Sequence, residues 1–176
     1  MADDHVPDQV LVGFSLGAER RNAITVPSAW SVSDLPKGEF LVPLAIVEKT
    51  GQRQLLRFEA QTQEQAIAEG RASLSQRQGQ LDAWAFGREG LLSGGTGKVD
   101  VLTVDAWAKG MTRPITFVQQ FTPYSSGVFR VRGDAMAIVD GKELEGAEAA
   151  RLVKKLYEGA LQHPKAVKLW QGWRAK

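Results

Sequence analysis

Apolar and polar residues change rhythm several times along this chain, and each change marks an element. Gln9 to Leu16 (QVLVGFSL) is an apolar run suited to a strand, and Ala23 to Trp30 (AITVPSAW) is a second one beyond a polar stretch. Together they predict a hairpin, or a strand followed by irregular chain. Pro27 must then lie at an edge or outside the strand, because it has no N–H to give a neighbour. Phe40 to Lys49 (FLVPLAIVEK) and Gln52 to Ala60 (QRQLLRFEA) flank Thr50-Gly51. A two-residue link ending in glycine predicts a β-hairpin, since glycine tolerates positive φ.

Thr62-Gln63-Glu64-Gln65 has the form of a capping box, with the Thr62 hydroxyl accepting from the N–H of Gln65. A helix is expected from about Gln63 to Gln78, and Ala66, Ile67, Gly70 and Leu74 give it a thin apolar stripe. Strand-like runs follow at Leu81–Arg88, Val99–Ala108 and Arg113–Phe121, then at Val128–Arg132 and Asp134–Val139 with a bulge expected at Gly133. Gly94-Gly95-Thr96-Gly97-Lys98 is expected to be a loop. In the third run Ile115, Phe117, Gln119 and Phe121 share one side, and Thr116, Val118 and Gln120 the other. One member of Gln119-Gln120 therefore needs a partner in an apolar setting. Between Ala147 and Leu161 the spacing of Ala150, Val153, Leu156, Tyr157, Ala160 and Leu161 predicts a helix. Pro164 ends or kinks it.

Hairpin, helix, meander and helix come in blocks rather than alternating. That predicts an α+β fold with a mainly antiparallel sheet and a C-terminal helix packed on it. Residues 1–8, with three aspartates and a proline, are expected to form a flexible arm, and 9–176 a single domain.

Composition narrows the chemistry. The 176 residues are 43% hydrophobic and 24% charged, which suits a packed globular domain and not a disordered chain. There is no cysteine, so disulfides, thiolate nucleophiles and cysteine-held metals are excluded. Two histidines, His5 and His163, are too few for a multi-histidine metal site. No metal and no cofactor is expected. The N-terminal residues lack the basic start and apolar stretch of a signal peptide, and no apolar run is long enough for a membrane span. No transmembrane segment is expected, and a cytoplasmic location is the default.

The formal charge of +2 is unevenly placed. Seven basic residues and one acid lie between Arg151 and Lys176, so that stretch carries +6 and the rest of the chain −4. Lys165, Lys168, Trp170, Trp173 and Arg174 combine cations with aromatic rings. Such a set can stack bases and neutralise phosphates, or meet a protein partner. Tryptophans three residues apart also serve as core anchors with lysines snorkelling around them.

Gly13-Phe14-Ser15-Leu16-Gly17 resembles the nucleophile elbow of the α/β-hydrolases, with Ser15 as nucleophile and His163 as its base. The likeness covers five residues. Only fourteen residues precede Ser15, the stretch after Gly17 has little helical character, and a meander is the wrong topology for that parallel fold. Gly94–Lys98 hints at a phosphate loop but lacks the first glycine and the Ser/Thr after the lysine, and a strand follows it. Asp100 and Asp105 point to opposite faces of a regular strand and, with Asp82 and Glu59 near strand ends, are expected to be exposed acids that discourage edge pairing. Asp140-Gly141-Lys142 has the spacing of a nuclease motif but lies in a turn. Arg132-Gly133-Asp134 is expected to be a glycine bulge between polar strand residues.

No catalytic cluster emerges. The expectation is a binding domain with no catalysis of its own, acting through a protein partner or self-association, because an open meander leaves strand edges for another chain. The alternatives are a nucleic-acid-binding protein using the basic aromatic tail, and a serine hydrolase using Ser15 and His163.

Overall fold

The computed structural model of the chain describes residues 41–94, 97–123, 126, 129–161 and 171–174. The arm at 1–8 and the runs at 9–16 and 23–30 lie outside these residues. The described residues form a seven-stranded sheet in the order β2-β1-β3-β4-β5-β6-β7. The strands are β1 (Leu44–Lys49), β2 (Gln52–Arg57), β3 (Ala83–Gly94), β4 (Gly97–Ala108), β5 (Ile115–Thr122), β6 (Arg130–Val139) and β7 (Lys142–Glu143). Every neighbouring pair is antiparallel. Two long helices complete the fold, α1 (Gln63–Arg77) and α2 (Gly146–Leu161). The fold is thus α+β and mainly antiparallel, as the block order of the sequence implies.

Local chemistry explains the elements. Thr50 and Gly51 both have positive φ, 50° and 73°, the geometry that matches the twist of a two-residue hairpin turn. The Thr62 hydroxyl accepts from the N–H of Gln65 at 3.2 Å and starts α1. Gly70 lets α1 sit low on the sheet, since a Cβ there would stand 2.7 Å from the Phe86 ring. The sequence stripe is confirmed, with Ala66, Gly70 and Leu74 buried.

The two helices lie on opposite faces. Ala45, Val47, Leu74, Leu81, Trp84, Phe86 and Trp107 form the core on the α1 side. Ala83, Ala85, Val104, Ala106, Ile115, Phe117, Ala137 and Leu152 form the core on the α2 side. The alternation of Ala83 to Phe86 between the two cores is the period-two pattern of a strand buried on both faces. The Trp84 and Trp107 rings stack at 6.4 Å.

Three details differ from the sequence reading. First, β3 and β4 continue through the expected loop to a close between Gly94 and Gly97. Each is twelve residues long, whereas β1 covers β3 only from Ala83 to Gly87 and β5 covers β4 only from Val101 to Ala106. The glycines at 94 and 97 serve the end of a ribbon, with Gly97 at φ 125°, rather than a slack connector. Second, α2 is seated by Leu152, fully buried, while Ala150 is exposed. Val153 and Leu156 pack against the core as the spacing predicts, and the stripe is completed by Leu152 and Ala149 in place of Ala150. Third, Asp140-Gly141, at φ 51° and 72°, turns the chain into β7, which pairs with Ile138 and Val139.

Candidate functional site

Among the described residues, two sheet edges and one polar cluster offer chemistry other than packing. The first edge is β2. Its register with β1 runs without a break from Leu44 opposite Arg57 to Lys49 opposite Gln52. In an antiparallel pair, residues bonded to each other alternate with residues whose backbone groups point away. The turn closes on Lys49 and Gln52, and at the other end the Phe58 N–H donates to the Pro43 carbonyl at 2.9 Å. Both ends give the same parity. Gln52, Gln54 and Leu56 bond to β1, and Arg53, Leu55 and Arg57 aim their N–H and C=O groups outward. Among the described residues no strand lies beyond β2. The side chains of Arg53, Leu55 and Arg57 share the α2-side face with their cross-strand partners Glu48, Ile46 and Leu44. Arg53 gives its Nε–H to Glu48 at 2.6 Å, Leu55 is half-buried and Arg57 is exposed.

The opposite edge is built differently. Pairing of β5 with β6 jumps from Val118–Met136 to Gln120–Arg132, so β6 bulges around Gly133, whose φ is 61°. The bulge is the one expected at that glycine. Gln119 fills it: its Nε2 donates to the carbonyls of Arg132 at 2.8 Å and Gly133 at 3.3 Å. Its Oε1 accepts from the Tyr157 hydroxyl at 3.0 Å, and that hydroxyl accepts from the Ala135 N–H at 2.7 Å. Gln119 is thus the member of Gln119-Gln120 that needed a partner, and α2 supplies it. Burial pushes the Tyr157 hydroxyl above its usual pKa, with the Ala135 N–H and Arg174 acting in the other direction. The hydroxyl therefore keeps its proton for Gln119.

The helical turn at 171–174 closes this end. The Trp173 ring meets Phe129 edge-on at 4.8 Å and is buried. The Arg174 guanidinium lies 4.6 Å from the Tyr157 ring centre and bonds Asp134 at 2.7 Å. Of the residues that sequence singles out in the basic aromatic tail, Trp173 and Arg174 are therefore engaged within the chain. Lys165, Lys168 and Trp170, together with Ser15 and His163, lie outside the described residues. Asp134, the acid of Arg132-Gly133-Asp134, is the partner of Arg174, and the Arg132 Nε–H donates to the Thr122 hydroxyl at 2.9 Å.

The polar cluster sits mid-sheet on the face opposite α2. Asp105 accepts from Arg88 through both oxygens, at 2.6 and 3.3 Å, and from the Thr116 hydroxyl at 2.7 Å. Asp105 is buried, not the exposed strand acid the sequence suggested, because its neighbours on β3 and β5 supply a cation and a hydroxyl. One clue was available: a single acid between Val104 and Ala106, in an otherwise apolar stretch, needs a partner from a neighbouring strand. The carboxylate's bonds go to two fixed partners, so the cluster ties three strands together. Glu89, on the other face, accepts from the Leu41 N–H at 3.0 Å. Burial raises its pKa; the Leu41 bond offsets that in part.

Among the described residues no three metal-ligating side chains gather in one place. No described helix is long and apolar enough to cross a membrane. Comparison with protein-family models, with curated proteins and with solved structures found no match for this chain.

Proposed function

We propose that this chain is a protein-interaction domain that binds by adding a strand to the β2 edge. One observation supports the reading above the others. β2 is regular, unbulged and outermost among the described strands, with the backbone groups of Arg53, Leu55 and Arg57 turned outward. An extended segment laid there gains main-chain hydrogen bonds from a template already in strand form.

Leu55→Pro tests this directly. The Leu55 N–H points away from β1, so proline removes an outer donor and spares the hairpin ladder. Sedimentation of the full chain, and recovery of a stoichiometric partner from cells that express it, are compared for the wild type and this variant. A homodimer or partner held by the wild type and released by Leu55→Pro supports the proposal. A monomer without a partner in both assays overturns it, as does a partner that Leu55→Pro still holds.

A further inference from the structure

We infer that the segment fitting β2 is an extended stretch of another protein carrying an acid, an apolar residue and a second acid at alternate positions; this rests on the edge-pairing reading. The three outward-facing residues of β2 are Arg53, Leu55 and Arg57, and their side chains share one face of the sheet. A strand added beside β2 places its own residues directly opposite these three, also at alternate positions. Directly opposed side chains set much of the preference in strand pairing, with opposite charges favoured and like charges disfavoured. Arg57 is exposed and Arg53 half-buried, so each can meet a carboxylate at the sheet rim. Leu55 between them is half-buried and would be covered by an apolar neighbour. The pattern is symmetric about Leu55, so it suits a segment running in either direction.

The same register argues against a second copy of this chain. Two twofold pairings overlap β2 equally, over five residues: one centred on Leu55 sets Arg53 of one copy opposite Arg57 of the other on both sides of the axis, and one centred on Gln54 sets Arg53 opposite Leu55 and leaves Arg57 unopposed. The first brings two arginine pairs together and the second gives neither arginine an acid, where an acidic segment would make two ion pairs. Glu48 relieves Arg53 in part, through its 2.6 Å bond, and does not reach Arg57 in the register, which pairs with Leu44.

The test uses the full chain, isotope-labelled, and two capped heptapeptides, Thr-Glu-Thr-Val-Thr-Glu-Thr and its counterpart with lysine at both glutamate positions. The acidic peptide is expected to shift the amide signals of Arg53, Leu55 and Arg57 most. It should bind about tenfold more tightly than the lysine peptide, the effect of exchanging two favourable cross-strand charge pairs for two unfavourable ones. Arg57→Glu should narrow or reverse that order, and Leu55→Pro should abolish both titrations. Equal binding of the two peptides, or shifts located away from β2, overturns the acidic-partner inference. If neither peptide binds but the chain forms a dimer that Leu55→Pro dissociates, the partner inference falls while edge pairing stands. If neither peptide binds and no such dimer or partner exists, both fall.

Discussion

The two ends of the sheet solve the same physical problem in opposite ways. An outer strand offers unpaired backbone groups, and proteins commonly blunt such strands with bulges, charges or covering segments. At the β6–β7 end the chain uses several of these devices at once. β7 has only two residues, β6 bulges at Gly133, Gln119 and Tyr157 take up the released groups, and the 171–174 turn holds Asp134 and Phe129. At the β2 end there is a six-residue strand in uninterrupted register, with two arginines as its only blunting among the described residues. The β2 end thus keeps its hydrogen-bonding template intact between two arginine side chains. The proposed interaction surface rests on that asymmetry.

The contrast can be broken experimentally in order of effect. Trp173→Ala should be the most damaging change at the closed end. It empties a buried site against Phe129 and should lower unfolding free energy by about 3 kcal/mol or more, measured by denaturant titration. At the open end, Leu56→Pro should be comparable, about 3 kcal/mol, because it removes a ladder donor and the Leu56 contact with the α1-side core. Leu55→Pro, one residue away, should leave the midpoint nearly unchanged. Equal losses for the two prolines would show that the outward parity of Leu55 is wrong. Gln119→Leu should cost about 1–3 kcal/mol by taking its side-chain donor from the Arg132 carbonyl and its Gln119 acceptor from the Tyr157 hydroxyl proton. It should also speed hydrogen exchange at the Ala135 amide.

The smallest effect concerns pH. The pKa of Glu89 is raised in the folded chain, chiefly by burial, from an ordinary value of 4.5. Between 4.5 and the raised value the folded state holds more protons than the unfolded one, so stability falls as pH climbs through that window. Its contribution is fullest below that range. Glu89→Gln keeps an oxygen for the Leu41 N–H and removes the charge. Melting curves across that window should show a flatter decline for the variant, with no difference at lower pH.

What could be read from sequence was local. Thr50-Gly51, the Thr62 cap and the Gly133 bulge are each specified by a few adjacent residues whose backbone preferences are strong. What was hidden is non-local. Tyr157 and Gln119 are 38 residues apart and Arg88 and Asp105 are 17 apart, so only the assembled register shows that they meet. The length of β3 was obscured for another reason: Arg88-Glu89-Gly90 interrupts the apolar rhythm, and its strand form comes from pairing with β4 rather than from propensity. For the candidate site, an open meander implies a strand edge. That β2 is outermost among the described strands, and which three of its residues turn their backbone outward, required the assembled register, the turn parity and the closing bond at Phe58.

The ribbon of β3 and β4 reaches past both of its flanking strands, and Leu91 near its end is 60% exposed. Among the described strands its outer rungs pair only with each other, while its inner rungs are clasped on either side. Thermal fluctuation should therefore unzip this arm from the tip inward, and halt where β1 and β5 take hold. The molecule would carry a fraying lever on a rigid base, able to bend or be grasped without disturbing the body beneath it.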